Sequence, residues 1–431
     1  MREKANVKNI LTDSRIIYFL FIFLFYFFLV KSPLEEKFPL FSCTDELLAL
    51  CAVPFFLSGI RRKGISGLLE KDGYGRYILV FLLISLAGSL VYRYQPFFRA
   101  ALPDLLVCSK FWMTIYVGKR LFEKFSVSEY AGRIFLHIRA AVWIYFILML
   151  ADHLAALAGS GEGLFAPVIR YGLRSTHLFY SHPTHFASCC VFLLAVLTAV
   201  SAYVKGSGKY MLLLFVMLCS TLRSKSLGTA VVCGLVYYLV AVRGKKPQLR
   251  TFLYFVPLLL LIGINQIYYY FFSRIQDDSA RYHMLVTGIR IANDHFPLGA
   301  GLGTFASHMS AAVYSPLYEI YGISNVWGLR EGAAYFVSDT FWPMILGQSG
   351  WIGLVFLLLG IGGLFFRIQT LYSVNTAFYL SALFILLYLL VSSAVESAFV
   401  HPTAIPLALW LGILMRRNAY EKPADGQQCC D

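Results

Sequence analysis

Charge is what this chain has least of. Only 14% of its 431 residues are Asp, Glu, Lys or Arg, against about 25% in an ordinary soluble domain. Hydrophobic residues make up 58% and mean hydropathy is +0.67. So few charges could not cover the apolar surface of a water-soluble fold. A soluble enzyme, a disordered chain and a fibrous repeat are therefore excluded. The nine cysteines have no metal-ligand spacing. Cys51, Cys108, Cys189, Cys190, Cys219 and Cys233 fall in apolar runs, where a thiol packs as a small hydrophobe. Only Cys43 falls in a candidate external loop, so neither a disulfide framework nor a metal centre is expected. Cys429 and Cys430 do not form a four-residue prenylation box. No Lys/Arg-rich stretch with interleaved exposed aromatics marks a nucleic-acid surface. No small-residue cleavage site follows the first apolar run, which reads as an anchor rather than a removed leader.

What the chain does have is a succession of apolar runs. Spanning a bilayer takes roughly 20 such residues, and about twelve candidates follow one another between positions 16 and 415. Backbone groups inside lipid must pair within their own segment, which leaves the helix as the spanning element. The expected fold is all-α: a polytopic transmembrane helical bundle of about 12 spans, forming one integral membrane domain over 1–431. The fourth run contains Pro103, Asp104 and Lys110, and the short seventh ends in Arg223 and Lys225. Net charge is +14. With both termini in the cytoplasm, Lys and Arg favour the inner connections by about two to one. Asp104, Lys110, Arg139 and Glu396 lie within or beside spans. A central Asp, Lys or Arg facing lipid costs roughly 2.5–3.5 kcal/mol, so these groups should face the bundle interior. Lys110 and Arg139 could instead extend their stems to an interface.

Two external loops stand out, 155–185 and a large, partly helical one over 273–340. Long structured loops in compact proteins usually carry function. In this topology His153, His177, His182, His185, His283, His295, His308 and His401 fall on or near the outer face. The first loop places Arg174, His177, His182 and His185 beside the bilayer, where a guanidinium can hold a phosphate oxygen in a bidentate fork. His182 and His185 have no third metal ligand marked by spacing. The second loop opens with a helix capped near Ser279 and stopped before Pro297. Arg281 and Arg290, nine residues apart, face opposite sides of that helix, whereas His283 and Arg290 share a face. Gly299, Gly301 and Gly303 then alternate, allowing close backbone approach or positive φ. Tyr314, Tyr318, Tyr321 and Trp327 could stack on sugar rings or sit in the headgroup belt. Asp339 lies where the chain re-enters the membrane, either as a helix cap or as a group facing the outer cavity.

Arg281, then Pro297-x-Gly299-x-Gly301-x-Gly303-x-Phe305, then a closing motif into Gly350-x-x-Gly353, resembles the O-antigen ligase/polymerase superfamily of bacterial envelope proteins. Arg174 and the Pro183–Ala187 stretch resemble that family's earlier Arg-containing loop, and the likeness covers roughly 170–365. It implies a membrane glycosyltransferase of the bacterial cytoplasmic membrane that uses no nucleotide sugar and no cofactor. Members move a glycan from a polyprenyl-diphosphate carrier to an acceptor on the outer side. The implied partners are a lipid-linked oligosaccharide donor and acceptor, membrane lipids and other polysaccharide assembly proteins, with no nucleic acid.

Carried over by motif, Arg174 and Arg281 would bind the diphosphate. Asp339 or His185 would take the acceptor's proton. Arg290, His182, Gly299, Gly301, Gly303 and Tyr314 complete the expected substrate site. Asp339 stands where ligases usually carry a His, and Gln348 where they carry an acid. Both departures favour a polymerase of oligosaccharide repeats over O-antigen ligase-type transfer. No Asp-x-Asp nucleotide-sugar site is present, and Asp277-Asp278 reads as a solvated loop. A transporter or flippase of lipid-linked glycan is the rival reading. It should place its charges near the bilayer midplane and show repeat symmetry, whereas the charged candidates here are superficial.

Overall fold

The computed structural model describes residues 14–63, 73–159, 163–272 and 279–416. Asp277, Asp278, Cys429, Cys430 and the first residues of the second outer loop lie outside these. Among the described residues the only strands form a short antiparallel hairpin, β1 (Ile169–Arg170) with β2 (Leu173–Arg174). The rest is helix and turn, as the apolar runs require. Among the described residues ten helices are long and apolar enough to cross a membrane, and two shorter apolar helices occupy the places of the seventh and twelfth runs. The protein is a multi-pass membrane protein of the all-α class.

In chain order the helices are α1 (Ser14–Lys37), α2 (Thr44–Leu50), α3 (Ala52–Lys63), α4 (Tyr74–Tyr92), α5 (Leu102–Leu121) and α6 (Val127–Ala158). After the hairpin come α7 (Pro183–Val200), α8 (Gly208–Ser220), α9 (Ser224–Tyr237), α10 (Leu249–Leu253) and α11 (Phe255–Phe271). The second outer loop carries α12 (Ala280–Asp294), α13 (His308–Ala312) and α14 (Leu317–Ile320). The chain then returns through α15 (Phe341–Leu371), α16 (Thr376–Ser393) and α17 (Ala404–Leu414). Local sequence sets several starts. Ser126 Oγ accepts from Glu129 N–H to open α6, and Asn375 Oδ1 accepts from Ala377 and Phe378 N–H to open α16. At α7 the His182 ring accepts from Thr184 N–H and Pro183 supplies the preset first turn.

Burial separates core helices from lipid-facing ones. The α7 span is 94% buried inside the protein, whereas the span formed by α10 and α11 is 6% buried. The α11 face carries Leu260, Leu261 and Ile264 outward, as a helix in hydrocarbon can. Polar groups turn inward. Lys110 pairs with Asp45 and, at 2.8 Å, with Glu46. Asp104, fully buried, accepts from Gly303 N–H at 2.8 Å. Arg139 is the exception: it lies exposed across the rings of Phe135 and Tyr210.

The alternating glycines explain how the second outer loop is anchored. Gly299, Gly301 and Gly303 all have positive φ. Ala300 N–H and Gly301 N–H donate to the carbonyls of Gly347 and Gln348, and Leu302 N–H donates to Ser89 Oγ. The loop is thereby wedged between α15 and α4. α15 accommodates it with a break at Gly350 (φ 64°, ψ −171°). Gly288 of α12 lies flush on Pro343 of α15, where a Cβ would stand 2.9 Å from the carbonyl oxygen. α12 and the start of α15 thus form one packed unit, which fixes Arg281 beside Asp339.

Candidate functional site

Starts of α7, α9, α12 and α15 and ends of α11 and α16 surround one basin of about 800 Å³. Arg170 reaches it from β1, His182 and His185 from the entry to α7, and Arg223 and Lys225 from the entry to α9. Arg281 comes from the first turn of α12, Asp339 from the residues just before α15, and Glu396, Ser397 and His401 from the connection after α16. Trp327 and Phe336 of the second outer loop complete the wall, with ring centroids 4.9 Å apart.

The electrostatics are lopsided. Four cations, Arg170, Arg223, Lys225 and Arg281, meet two carboxylates, Asp339 and Glu396, leaving an excess of two positive charges. Lys225 Nζ pairs with Glu396, and Arg281 Nη2 stands 3.6 Å from Asp339 Oδ2. Arg281 also lies over the Tyr270 ring, 4.8 Å from its centroid. Burial pushes the Asp339 carboxyl above the usual carboxylate range, against the pull of Arg281. Burial, then the repulsion of Arg223, pushes His182 down to about 3. Burial and the neighbouring His185 do the same to His401, also to about 3. Both imidazoles are therefore neutral at physiological pH. Burial and Arg170 lower Arg223 to about 10, still charged near neutrality.

Hydrogen bonding in the basin is incomplete. His182 Nδ1 accepts from Thr184 N–H, and Arg223 Nη2 donates to its Nε2 at 2.8 Å. That is one more donor than a neutral imidazole can accept from. His185 Nδ1, Arg223 Nε and Ser279 Oγ are buried with no hydrogen-bond partner among the described residues. Buried polar atoms are rarely left unpaired unless a ligand or solvent serves them.

Beside the basin runs a second, apolar cavity of about 470 Å³ between α11, α15 and α16. Its walls include Phe252, Leu259, Ile267, Trp342 and Leu390. Ser224, Lys225, Gln266, Tyr270, Arg281 and Val395 line both spaces, so the groove opens into the basin at its cations.

Of the expected site residues, Arg281, Asp339, His185 and His182 come together. Asp339 does not cap α15: Thr340 holds the cap position, without a side-chain bond. Arg174 is not in the basin. Its guanidinium is bound to Asp152 and to Phe165 O, beneath the first outer loop. Arg290 is exposed on the far side of α12, outside the basin, as its spacing from Arg281 requires. Gly299, Gly301 and Gly303 approach closely, but to the backbone of their own chain at Gln348, Ser89 and Ala100 rather than to the basin. Tyr314 donates to Leu329 O and packs inside the loop. Gln348 is buried and donates to Phe305 O, so it too serves packing.

Among the histidines expected on the outer face, His177 bonds the carbonyls of Tyr180 and Ala166, and His295 bonds Ile291 O and Tyr94. These rings hold loops. No group of three metal-ligating side chains occurs among the described residues. The sequence reading missed Arg170, Arg223, Lys225, Glu396 and His401 as members of one site. The only signal was the Arg223-Ser-Lys225 pair ending an apolar run. No family model, no curated protein and no solved structure matches the chain.

Proposed function

We propose that this protein is a membrane glycosyltransferase that polymerises polyprenyl-diphosphate-linked oligosaccharide repeats into surface polysaccharide. It works on the outer side of a bacterial cytoplasmic membrane, with both termini inside. The observation that carries this reading is the continuity of the apolar groove with the cationic basin through Lys225, Tyr270 and Arg281. A ligand fitting both has a long apolar tail and a compact head of about two negative charges. A polyprenyl diphosphate has both, and the sequence motifs around Arg281 and Gly299–Phe305 resemble proteins that use one.

The chemistry follows from the charges. As the glycosyl bond breaks, negative charge gathers on the leaving diphosphate. Arg223 and Lys225 from the entry to α9 and Arg281 from α12 face that position, and low dielectric strengthens their hold. Arg170 adds long-range attraction. Asp339 positions Arg281, and burial holds its own carboxyl above the usual carboxylate range. Asp339 in place of a ligase-type His favours polymerase over ligase. Gln348, being a packing residue, no longer bears on that choice.

The test uses the full chain in membranes, with a photoreactive polyprenyl diphosphate as probe. Arg281→Ala at normal membrane level should lose labelling and long glycan chains together. Full labelling and full-length chains in Arg281→Ala would end the diphosphate assignment. Deleting the protein separates the two transfer reactions: single repeats on the acceptor indicate a lost polymerase, and unattached full-length chains a lost ligase.

A further inference from the structure

A third cavity lies behind the basin, about 110 Å³ in volume, between the outer end of α1, the start of α7 and the entry to α17. Ser32, Glu35, Ser188 and Thr403 give it a polar side, and Tyr180 and Phe192 an aromatic one. Lys31, also in its wall, is ion-paired with Glu35. The mixture of hydroxyl, charged and aromatic groups suits a sugar, whose ring has hydroxyl edges and a less polar face.

Two residues line both this cleft and the cationic basin: His185 and His401. Their rings meet edge to face, centroids 5.6 Å apart, and form the partition between the two spaces. His401 Nδ1 is engaged by Thr403, whereas His185 Nδ1 is buried without a partner among the described residues. Asp339 lines the basin and not the cleft.

We infer that the cleft is the acceptor's subsite, receiving the hydroxyl-bearing end of a carbohydrate, and that His185 is the base between the two substrates. This rests on the reading of the basin as a diphosphate site. The acceptor oxygen bonds to the anomeric carbon, and its proton passes to the His185 imidazole. The bond from that carbon to the phosphate oxygen breaks, and its electron pair leaves on the diphosphate held by Arg281. Donor and acceptor then approach from opposite sides, the donor's lipid through the groove by α11 and the acceptor's sugar past α1.

The experiment fills the cleft without touching the basin. Ser32→Leu and Ser32→Trp are compared with wild type, in membranes, for photolabelling by the polyprenyl diphosphate probe and for surface-glycan length. The expected result is labelling within twofold of wild type, with long chains reduced at least tenfold in Ser32→Trp and less in Ser32→Leu. His185→Ala should likewise keep labelling and lose chains. Wild-type chain length in Ser32→Trp overturns the acceptor cleft while leaving the basin reading intact. Loss of labelling in step with chain loss in both Ser32 variants also overturns it, because the cleft would then have no role separable from the basin. Labelling that survives Arg281→Ala tells against the basin itself.

Discussion

Arg174 and Asp152 are joined by two hydrogen bonds of 2.8 Å, one from Nε and one from Nη2, and Nη2 also donates to Phe165 O at 2.6 Å. The side chains are 9% and 4% exposed. The guanidinium expected to hold a phosphate is thus bound within the protein, tying the 155–185 loop to the end of α6. Arg170, across the hairpin from Leu173, faces the basin instead.

The first prediction follows. Removing one member of a buried ion pair costs about 3–5 kcal/mol, since the other charge is left unpaired. Arg174→Ala should lower the unfolding midpoint in detergent and the membrane level. Arg170→Ala should leave both unchanged and weaken labelling by the lipid diphosphate. Normal stability of Arg174→Ala with abolished labelling would restore Arg174 to the binding role.

Asp339 sets the second prediction. Its carboxyl is held above the usual range by burial, against Arg281. Protonating it removes a negative charge from the basin, so affinity for a sugar-linked lipid diphosphate should rise as pH falls through that raised value. Asp339→Asn should bind as tightly as the protonated form at every pH. His182 and His401, pushed to about 3, add no second step above pH 5. The stability sign runs the same way. A raised carboxyl means the native state binds the proton more readily than the unfolded chain. This contribution is therefore complete below the unfolded value and fades as pH rises through the folded one. Binding that is independent of pH in wild type would remove Asp339 from the site's charge balance.

The glycine loop gives a third. Gly301 has φ 97°, and a Cβ there would lie 2.6 Å from Ser89 Cα and 2.8 Å from Gly88 C. Left-handed strain of about 1–2 kcal/mol joins an overpacking cost of about 1–3 kcal/mol. Gly301→Ala should therefore fail by stability, with protein level and labelling falling together. Gly322→Ala has the strain without the crowding, since nothing lies within 4 Å of its Cβ position, and should be much milder. Stable Gly301→Ala protein that no longer labels would return the loop to ligand contact.

How much of this was legible in the sequence varies with the physics involved. Lipid demands apolar helices, so among the described residues ten membrane-length apolar helices lie on the runs, and the seventh and twelfth runs fold as shorter apolar ones. Helix geometry alone put Arg281 and Arg290 on opposite faces, and Ser279 and Pro297 bracket α12. The glycine spacing did signal close approach and positive φ, but not what was being approached. Partner choice was not legible. Asp152 stands 22 residues before Arg174, and Lys225 meets Glu396 across 171 residues. Such pairings depend on tertiary packing that no local spacing encodes. For that reason Arg174 was misplaced and Arg223, Lys225, Glu396 and His401 were missed.

The last prediction concerns the buried charges away from the basin. Lys110 pairs with Asp45 and Glu46, and Lys31 reaches Asp45 at 3.5 Å and pairs with Glu35. A transporter would use such groups in its cycle, whereas the glycosyltransferase reading makes Asp45, Glu46 and Lys110 structural and leaves Lys31 and Glu35 in the wall of the acceptor cleft. Asp45→Ala alone leaves Lys110 and Lys31 short of a partner and should cost about 3–5 kcal/mol, visible as a lower unfolding midpoint. Replacing both partners by apolar residues of similar volume is often neutral, so Asp45→Leu with Lys110→Met should recover most of that loss. If Asp45 and Lys110 are structural, the double variant also makes full-length glycan. A double variant that is as stable as wild type yet makes no glycan would mean that this network takes part in the cycle, and would shift the balance toward transport.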